Sequence, residues 1–245
     1  MSDSPQRADY GIDAPHVLRL FVIIGVPAIT TASVLFASGI ARRNGLVLSL
    51  ANMNFWGGLS CLGTAAVMFW GSKRGKLRLR DRIMAGIKWR GDERVLDVGC
   101  GHGLMLIAAA RRLTSGQAVG IDLWQKEDQA GNSREATLEN ARREGVADRI
   151  ELRDGDAREL PFEDDSFDLV LSSWALHNIY EQPGRERAVR EIARVLKPGG
   201  QLVLVDIKHT DEYERTLRAC GITELTRSGP NFIFVIPTRT LRATK

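Results

Sequence analysis

A chain of 245 residues with 26% charged residues and a formal net charge of +4 is long enough for one or two domains. Its three cysteines, Cys61, Cys100 and Cys220, are scattered and odd in number, which excludes a disulfide framework and favours a reducing compartment. No Cys/His spacing indicates a metal site. The basic excess is local, since residues 72–94 carry nine Lys or Arg against three acids. We therefore expect no nucleic-acid partner, because such a partner usually requires charge spread over a whole face.

The N-terminal third separates into a polar tail and two apolar stretches. Residues 1–16 contain Pro5, Gly11 and Pro15 and predict a flexible tail. Two charge-free runs follow, of 22 residues (20–41) and 25 residues (46–70). About 20 apolar residues suffice to cross a bilayer, and neither run has the polar face of a soluble helix. We predict a transmembrane helical hairpin over residues 17–71, with a pair of buried soluble helices as the alternative.

The polar residues Asn52 and Asn54 are expected to bond across the hairpin.

Charges around the hairpin indicate its orientation. Basic residues cluster directly after the second run, in a predicted linker helix over residues 72–93, so this end should face the cytoplasm. Arg42 and Arg43 in the turn argue against two crossings, and a re-entrant hairpin is the alternative. The linker helix either covers the ligand site or is a solvated spacer.

Residues 94–245 form one predicted domain in which strands and helices alternate, which is typical of a parallel sheet covered on both faces. Predicted strands lie at 94–98, 117–121, 149–153, 167–171 and 201–206, and predicted helices at 104–113, 133–144, 185–196 and 211–220. A C-terminal hairpin is predicted from strands at 223–227 and 232–237. Ligands of such sheets bind beyond the carboxyl ends of the strands.

The most informative stretch is Val95-Leu96-Asp97-Val98-Gly99-Cys100-Gly101-His102-Gly103, an apolar strand that enters a glycine loop. A dinucleotide fingerprint would place its third glycine one residue later. The stretch resembles the first motif of class I S-adenosylmethionine (SAM)-dependent methyltransferases, and residues 194–206 resemble the last motif of that family. The resemblance extends from Arg94 to the C-terminus, within the broad group that includes ubiquinone- and menaquinone-biosynthesis methyltransferases (the methyltransferase type 11 group). It implies a doubly wound, mostly parallel, seven-stranded Rossmann-like sheet with SAM as cofactor.

The resemblance also implies which residues hold the cofactor. Asp122 would accept the ribose hydroxyls, Asp156 and the backbone of Ala157 would contact adenine, and Asp97 would order the loop and reach the amino end. A carboxylate suits the ribose because it accepts two hydrogen bonds. The full set of implied cofactor contacts is Asp97, Gly99, Gly101, Gly103, Asp122, Leu123, Asp156, Ala157, Ser172 and Ser173. Trp124, in an unusually long polar connection at 123–132, either stacks on adenine or anchors the loop.

His177 is the candidate catalytic residue, because the segment after the fourth strand faces the acceptor in similar enzymes. A histidine titrates near neutrality and can remove a proton from an acceptor hydroxyl or amine. The alternative is a histidine that only bonds to backbone at the start of a helix.

The expected function is methyl transfer from SAM to a small acceptor at the membrane. The hairpin suggests a quinone or phospholipid, and a soluble acceptor with the hairpin as a plain anchor stays open. The functional alternatives are a catalytically silent SAM-binding membrane sensor or scaffold, and a dinucleotide-dependent reductase.

Overall fold

The computed structural model describes residues 8–125, 131–233 and 235–245. Within these residues, seven β-strands form one sheet in the order β3-β2-β1-β4-β5-β7-β6. The first five strands are parallel, and β7 runs antiparallel between β5 and β6. The strands are β1 (Arg94–Val98), β2 (Gln117–Asp122), β3 (Ile150–Asp154), β4 (Phe167–Ser173), β5 (Leu196–Asp206), β6 (Glu224–Arg227) and β7 (Arg239–Thr244). The predicted α/β, doubly wound sheet is therefore confirmed.

The described α-helices are α1 (Pro15–Ala37), α2 (Ile40–Arg43), α3 (Gly45–Trp70), α4 (Lys76–Ala85), α5 (Leu104–Ala110), α6 (Arg134–Arg143), α7 (Gln182–Val195) and α8 (Thr210–Ala219). Of these, α4, α5 and α6 cover one face of the sheet, and α7 and α8 cover the other. Side chains alternate along β1, so Val95 packs with α4 and α5 on one face while Leu96 packs with α7 and α8 on the other. Because both faces are buried, the central strands are almost continuously apolar.

The two apolar runs form α1 and α3, which pack against each other through small residues. Gly25 and Gly58 meet at the crossing, where a Cβ on Gly58 would lie 2.9 Å from the carbonyl oxygen of Gly25. Of the described helices, only α1 is both long and apolar enough to cross a membrane. The expectation for the two asparagines is wrong, because Asn52 and Asn54 donate to carbonyl oxygens one turn earlier in their own helix.

α3 continues through a π-helical turn (Gly71–Gly75) into α4, so the predicted linker is part of one bent helix. Leu79, Ile83 and Met84 of α4 are buried in the domain core, which a solvated spacer would not allow. The helix therefore joins the hairpin rigidly to the sheet.

Residues 8–14 lie against the domain, and so differ from the flexible tail expected there; residues 1–7 are outside the described residues. The buried ammonium of Lys76 holds this segment by donating to the carbonyl oxygens of Tyr10 (2.8 Å) and Gly11 (3.1 Å) and to the Asp13 carboxylate (3.0 Å). Burial lowers the pKa of Lys76, and the adjacent Asp13 carboxylate opposes that shift. We call residues 8–14 the N-terminal strap.

Lys76→Met should release the strap without unfolding the sheet. The change leaves two carbonyls and one carboxylate without their cation, which costs roughly 2–3 kcal/mol. Hydrogen exchange at the amides of residues 9–13 should accelerate strongly. Lys73→Met is the matched control, because its pair with Asp9 is exposed and such pairs contribute about 0–1 kcal/mol. Equal exchange rates in the two variants would contradict this role of Lys76.

The prediction of a strand at 232–237 is wrong. The strand that returns to the sheet is β7, which pairs with β5 from Asp206–Arg239 to Gln201–Thr244. β7 buries Leu241 and Ala243. Its other residues are polar, so the sequence pattern does not predict a strand here. Residues 232, 233, 235 and 236 of the apolar run lie instead in the loop between β6 and β7, and residue 234 is outside the described residues.

Candidate functional site

The glycine loop follows β1 and adopts a backbone that other residues avoid. Gly99, Gly101 and Gly103 have φ values of 72°, 50° and 82°, all in the left-handed region where glycine is favoured. A Cβ on Gly99 would also collide with the side chain of Ala175. The loop is held from α6, where the Thr137 hydroxyl and the Asn140 amide donate to the carbonyl oxygens of Gly101 and His102. These contacts fix the shape of the loop independently of any ligand.

Asp122 stands at the end of β2 and links the glycine loop to the second strand. Its Oδ2 accepts from the Gly101 backbone N–H at 2.8 Å, and its Oδ1 accepts from the Trp124 N–H at 2.6 Å. The third contact, with the Asn132 amide, is longer at 3.3 Å. Each carboxylate oxygen can accept two hydrogen bonds, so Oδ2 retains one vacant position, whereas the second position on Oδ1 is taken by the long Asn132 contact. One ribose hydroxyl can donate to Oδ2 directly, and a second can reach Oδ1 by displacing the Asn132 amide.

Asp97 lies beneath the glycine loop and is almost fully buried. Its Oδ2 accepts from the Leu106 N–H at 2.9 Å, while its buried Oδ1 has no hydrogen-bond partner among the described residues. Burial raises the pKa of Asp97 to about 7; the Leu106 bond lowers it and the Asp122 carboxylate raises it further. An acceptor left unsatisfied at this depth is costly unless a donor arrives. A cationic amino group is the kind of donor that fits.

The residues after β3 approach Asp122 through the backbone, since the Gly155 N–H donates to the Asp122 carbonyl oxygen at 3.1 Å. The Asp156 carboxylate is held by Arg158, with Nη2 2.6 Å away, and this contact lowers the pKa of Asp156. Ala157 packs on the α7–α8 core. The side chain of Leu123, in contrast, is exposed.

Trp124 is anchored by its indole N–H, which donates to the Asp154 carboxylate at 2.7 Å. This contact anchors the start of the loop, and stacking of the ring on adenine stays a prediction. Residues 126–130 of the long connection at 123–132 lie outside the described residues.

The end of β4 brings three polar or aromatic residues to the same edge. The Ser172 hydroxyl is buried and donates to the Val98 carbonyl oxygen at 2.8 Å, so it joins β4 to β1. Ser173 is only half-buried. Trp174 follows with φ 51°, its N–H bonded to the Val205 carbonyl oxygen. A left-handed non-glycine backbone is unusual and often marks a functional segment.

His177 lies in a short 3₁₀ turn after β4 and contacts Asp206 at the end of β5. Its Nδ1 is 2.6 Å from Asp206 Oδ1, an ion-pair distance whose angle falls outside hydrogen-bond geometry in this conformation. Asp206 is 2% exposed and also accepts from the His177 and Ile207 backbone N–H groups and from the Tyr213 hydroxyl. Because an ionised carboxylate only accepts, its position beside Nδ1 favours the tautomer with the ring proton on Nδ1, which leaves Nε2 as the accepting nitrogen.

Sequence reasoning missed Asp206 and Tyr213 as partners of His177. Asp206 could have been identified from the sequence, because it is an acid at the end of the last parallel strand. Tyr213 could not, because its hydroxyl reaches the site only through the packing of α8 on β5. Burial and the Asp206 carboxylate raise the pKa of Tyr213 well above its usual range.

The fold and the strand ends together define a class of protein. The strand order with an antiparallel β7, the glycine loop and the acids at successive strand ends are those of the Rossmann-like methyltransferase fold. Residues 96–204 match a family described as "Methyltransferase domain". This segment is therefore a SAM-dependent methyltransferase domain, and S-adenosylmethionine is its cofactor. The buried Oδ1 of Asp97, which accepts no hydrogen bond from a described residue, and the vacant position on Asp122 Oδ2 fit the amino end and the ribose of that cofactor.

Characterised relatives resemble the same half of the chain. The 27-O-demethylrifamycin SV methyltransferase of Amycolatopsis mediterranei (strain S699) is 38% identical over 129 residues, which are 53% of this chain and 44% of the relative. The demethylmenaquinone methyltransferase of Lactiplantibacillus plantarum is 36% identical over 134 residues, 54% of this chain and 53% of the relative. The chain thus spans about half the length of the curated relatives it matches.

A solved structure supports the fold. The crystal structure of a SAM-dependent methyltransferase from Aquifex aeolicus superposes with a TM-score of 0.53 at 18% identity, covering 70% of this chain and 92% of that one. At this identity the likeness concerns the fold alone.

The affinity of the protein for S-adenosylhomocysteine should increase with pH between about 5.5 and 7. The folded protein holds a proton on Asp97 up to a pKa of about 7, and a cationic amino group beside Oδ1 favours the ionised form. Binding then releases a proton, and affinity can change by at most tenfold per pH unit below that pKa. Calorimetry in two buffers of different ionisation enthalpy measures the release. Asp97→Asn should remove the pH dependence, and an unchanged slope in that variant would assign it to another group.

Proposed function

We propose that this protein transfers a methyl group from S-adenosylmethionine to a small, lipid-soluble acceptor at a membrane. In this proposal α1, the described helix that is long and apolar enough to span alone, inserts together with the charge-free α3 packed against it as a two-helix hairpin. The methyltransferase domain lies on the cytoplasmic side. The observation that carries the proposal is the position of the hairpin relative to the sheet. The hairpin joins the domain at the carboxyl edge of the parallel strands, where the cofactor residues converge.

Three contacts support this placement. The Asp9 carbonyl oxygen of the N-terminal strap contacts His102 Nδ1 in the glycine loop at 3.2 Å. Ile233, in the loop that precedes β7 at the carboxyl edge, packs on Gly75 in the turn between α3 and α4. The start of β7 is at that edge because Arg239 pairs with Asp206, the last residue of β5. An acceptor dissolved in the bilayer would therefore approach the cofactor edge directly.

The surface of the hairpin supports its insertion. Small residues are buried between the two helices, including Ala32 on α1 and Ala51 and Ala65 on α3. Large apolar side chains face outward, as with Ile23 at 68% and Met53 at 65% exposure. Close packing through small residues is typical of helices in lipid, whereas exposed large apolar side chains are costly in water.

The basic residues that follow α3 support a cytoplasmic domain, since basic residues accumulate on the cytoplasmic side of membrane helices. Arg42 and Arg43 end the short α2 at the opposite tip. A re-entrant hairpin would keep this tip on the cytoplasmic side too. Labelling of a cysteine introduced at Asn44 with a membrane-impermeant reagent distinguishes the two: labelling from outside supports two crossings, and labelling from inside only supports re-entry.

The names of the relatives indicate the acceptor class. A demethylmenaquinone methyltransferase is named for a quinone, and the rifamycin enzyme is named for methylation at an oxygen. A quinol-type acceptor would combine both features, since it is apolar and presents a hydroxyl.

Bound S-adenosylmethionine supplies a methyl group on a positively charged sulfur, so the acceptor oxygen must approach in line with the methyl–sulfur bond. The protein contributes positioning, which can account for most of the acceleration in such reactions. Asp122 orients the ribose of the cofactor and Asp97 orients its amino end. The glycine loop limits how deeply the cofactor can enter the site. His177 Nε2 accepts the proton of the acceptor hydroxyl while Asp206 holds the ring.

A transfer assay tests this function. The full chain is incubated with methyl-labelled S-adenosylmethionine and either total membrane extract or soluble extract, with the Asp122→Ala variant as the matched inactive control. Label should enter one organic-soluble compound from the membrane extract, which mass spectrometry then identifies. Label that enters only a soluble compound would contradict the lipid acceptor. Tight binding of S-adenosylhomocysteine without any labelled product would favour a silent SAM-binding sensor or scaffold.

A further inference from the structure

The loop between β6 and β7 presents an apolar tip at the surface of the domain. Asn231 and Thr238 close its base by exchanging two backbone hydrogen bonds of 2.8 and 2.9 Å. Between them, Phe232, Val235 and Ile236 are 67%, 50% and 46% exposed. Three large apolar side chains within five positions form a patch rather than the scattered exposure of an ordinary surface. We call residues 232–236, without the undescribed residue 234, the apolar tip.

The tip is fixed beside the end of α3. Ile233 is buried, and its Cγ2 lies 2.5 Å from where a Cβ on Gly75 would stand. The ring of Trp70, the last residue of α3, lies 3.4 Å from the same point. Trp70 is half-exposed and carries the Arg78 guanidinium 5.3 Å above its ring. Tryptophan next to a cation is characteristic of the boundary between lipid and water.

Two basic side chains lie beside this junction. Arg74, in the turn after α3, and Arg78, on the ring of Trp70, are both exposed. An apolar centre flanked by cations is complementary to a lipid surface that contains anionic headgroups. Neither the cofactor residues nor the His177–Asp206 contact uses these groups.

We propose that the apolar tip is a second membrane contact, which lies in the lipid interface next to Trp70 and turns the carboxyl edge of the sheet toward the bilayer. The proposal rests on the insertion of the hairpin proposed above. The tip is also joined to the site, since the Trp174 indole N–H, one residue after β4, donates to the Thr238 hydroxyl at 3.4 Å. The membrane contact and the candidate acceptor site are thus parts of one rigid edge.

Site-specific photo-cross-linking in the full chain tests the contact. A benzoylphenylalanine replaces Val235 at the tip, and the same residue replaces Ile23 on α1 or Asp148 in separate proteins. Asp148 is the matched control because its side chain is 73% exposed and it precedes β3, at the amino edge of the sheet that the proposal turns away from the bilayer. The proteins are reconstituted into vesicles of phosphatidylcholine and phosphatidylglycerol that contain labelled lipid. Illumination should attach labelled lipid at positions 23 and 235, with only background at 148.

The outcomes separate the two proposals. Lipid attached at 23 but only at background level at 235 would overturn the membrane contact of the tip and leave the hairpin intact. Background at both positions would overturn both. Phe232→Asp with Ile236→Asp should abolish the cross-link at 235 without unfolding the protein, because both side chains are exposed and carboxylates resist transfer into lipid. A cross-link at 235 that persists in this double variant would also overturn the contact.

Discussion

Replacing Asp122 by Ala should weaken the binding of S-adenosylhomocysteine by roughly 100-fold. The variant loses a carboxylate whose Oδ2 has a vacant position for a ribose hydroxyl, and a hydrogen bond to a charged group contributes about 1.5–3 kcal/mol. It also loses the acceptor that holds the Gly101 and Trp124 backbone N–H groups. The measurement is calorimetric titration of the full chain in detergent. Affinity within a few-fold of the original protein would remove Asp122 from the cofactor site.

Two further variants separate charge from shape at this site. Asp122→Asn keeps one carbonyl acceptor and should bind with intermediate affinity, because the charge and one acceptor are lost. Asp156→Ala should have a smaller effect than Asp122→Ala. Its carboxylate is already engaged by Arg158, so a bond to the adenine amino group would add to an existing ion pair instead of satisfying a vacant position. An Asp156 variant that binds as weakly as the Asp122 variant would reverse the proposed ranking.

Much of the fold can be predicted from the sequence, because the spacing of hydrophobic residues and the positions of glycines determine structure among residues close in the chain. β1 is where the sequence predicts it, and Gly99, Gly101 and Gly103 indicate a loop whose backbone only glycine adopts readily. The acids at the ends of β2 and β3 could be located because parallel strands end at one edge. These features depend on neighbours in the chain, so a single sequence is enough to find them.

The sequence does not predict those elements whose positions depend on packing between residues far apart in the chain. The run 232–236 is more apolar than β7, so by composition it is the better strand. β7 is nonetheless the strand, because the register of Leu241 and Ala243 against β5 buries them while the apolar run finds no strand to pair with. The strap is missed for a similar reason. Nothing near Lys76 in the chain predicts that its ammonium is buried against carbonyls more than 60 residues away.

The second large effect is expected at His177. His177→Ala should lower the rate of methyl transfer by about 10²–10⁴, the usual contribution of a positioned base, and should leave the affinity for S-adenosylhomocysteine unchanged. This separation is expected because the ring contacts Asp206 at the end of β5 and none of the implied cofactor residues. The rate is measured with the acceptor identified in the transfer assay. An unchanged rate would remove His177 from the mechanism and favour its alternative, a histidine with a purely local backbone role.

Asp206→Asn tests whether the carboxylate positions the base. The amide can still accept the His177 backbone N–H, but it can also turn an N–H donor toward Nδ1, so it no longer fixes the ring tautomer. We expect a large loss in kcat with little change in KM, because Asp206 positions the base. Tyr213→Phe is the matched control for this network, because it removes one donor to Asp206 and keeps the volume and the carboxylate. It should lower kcat far less. If Asp206→Asn lowered thermal stability but left kcat unchanged, Asp206 would be a structural acceptor and His177 would act without it.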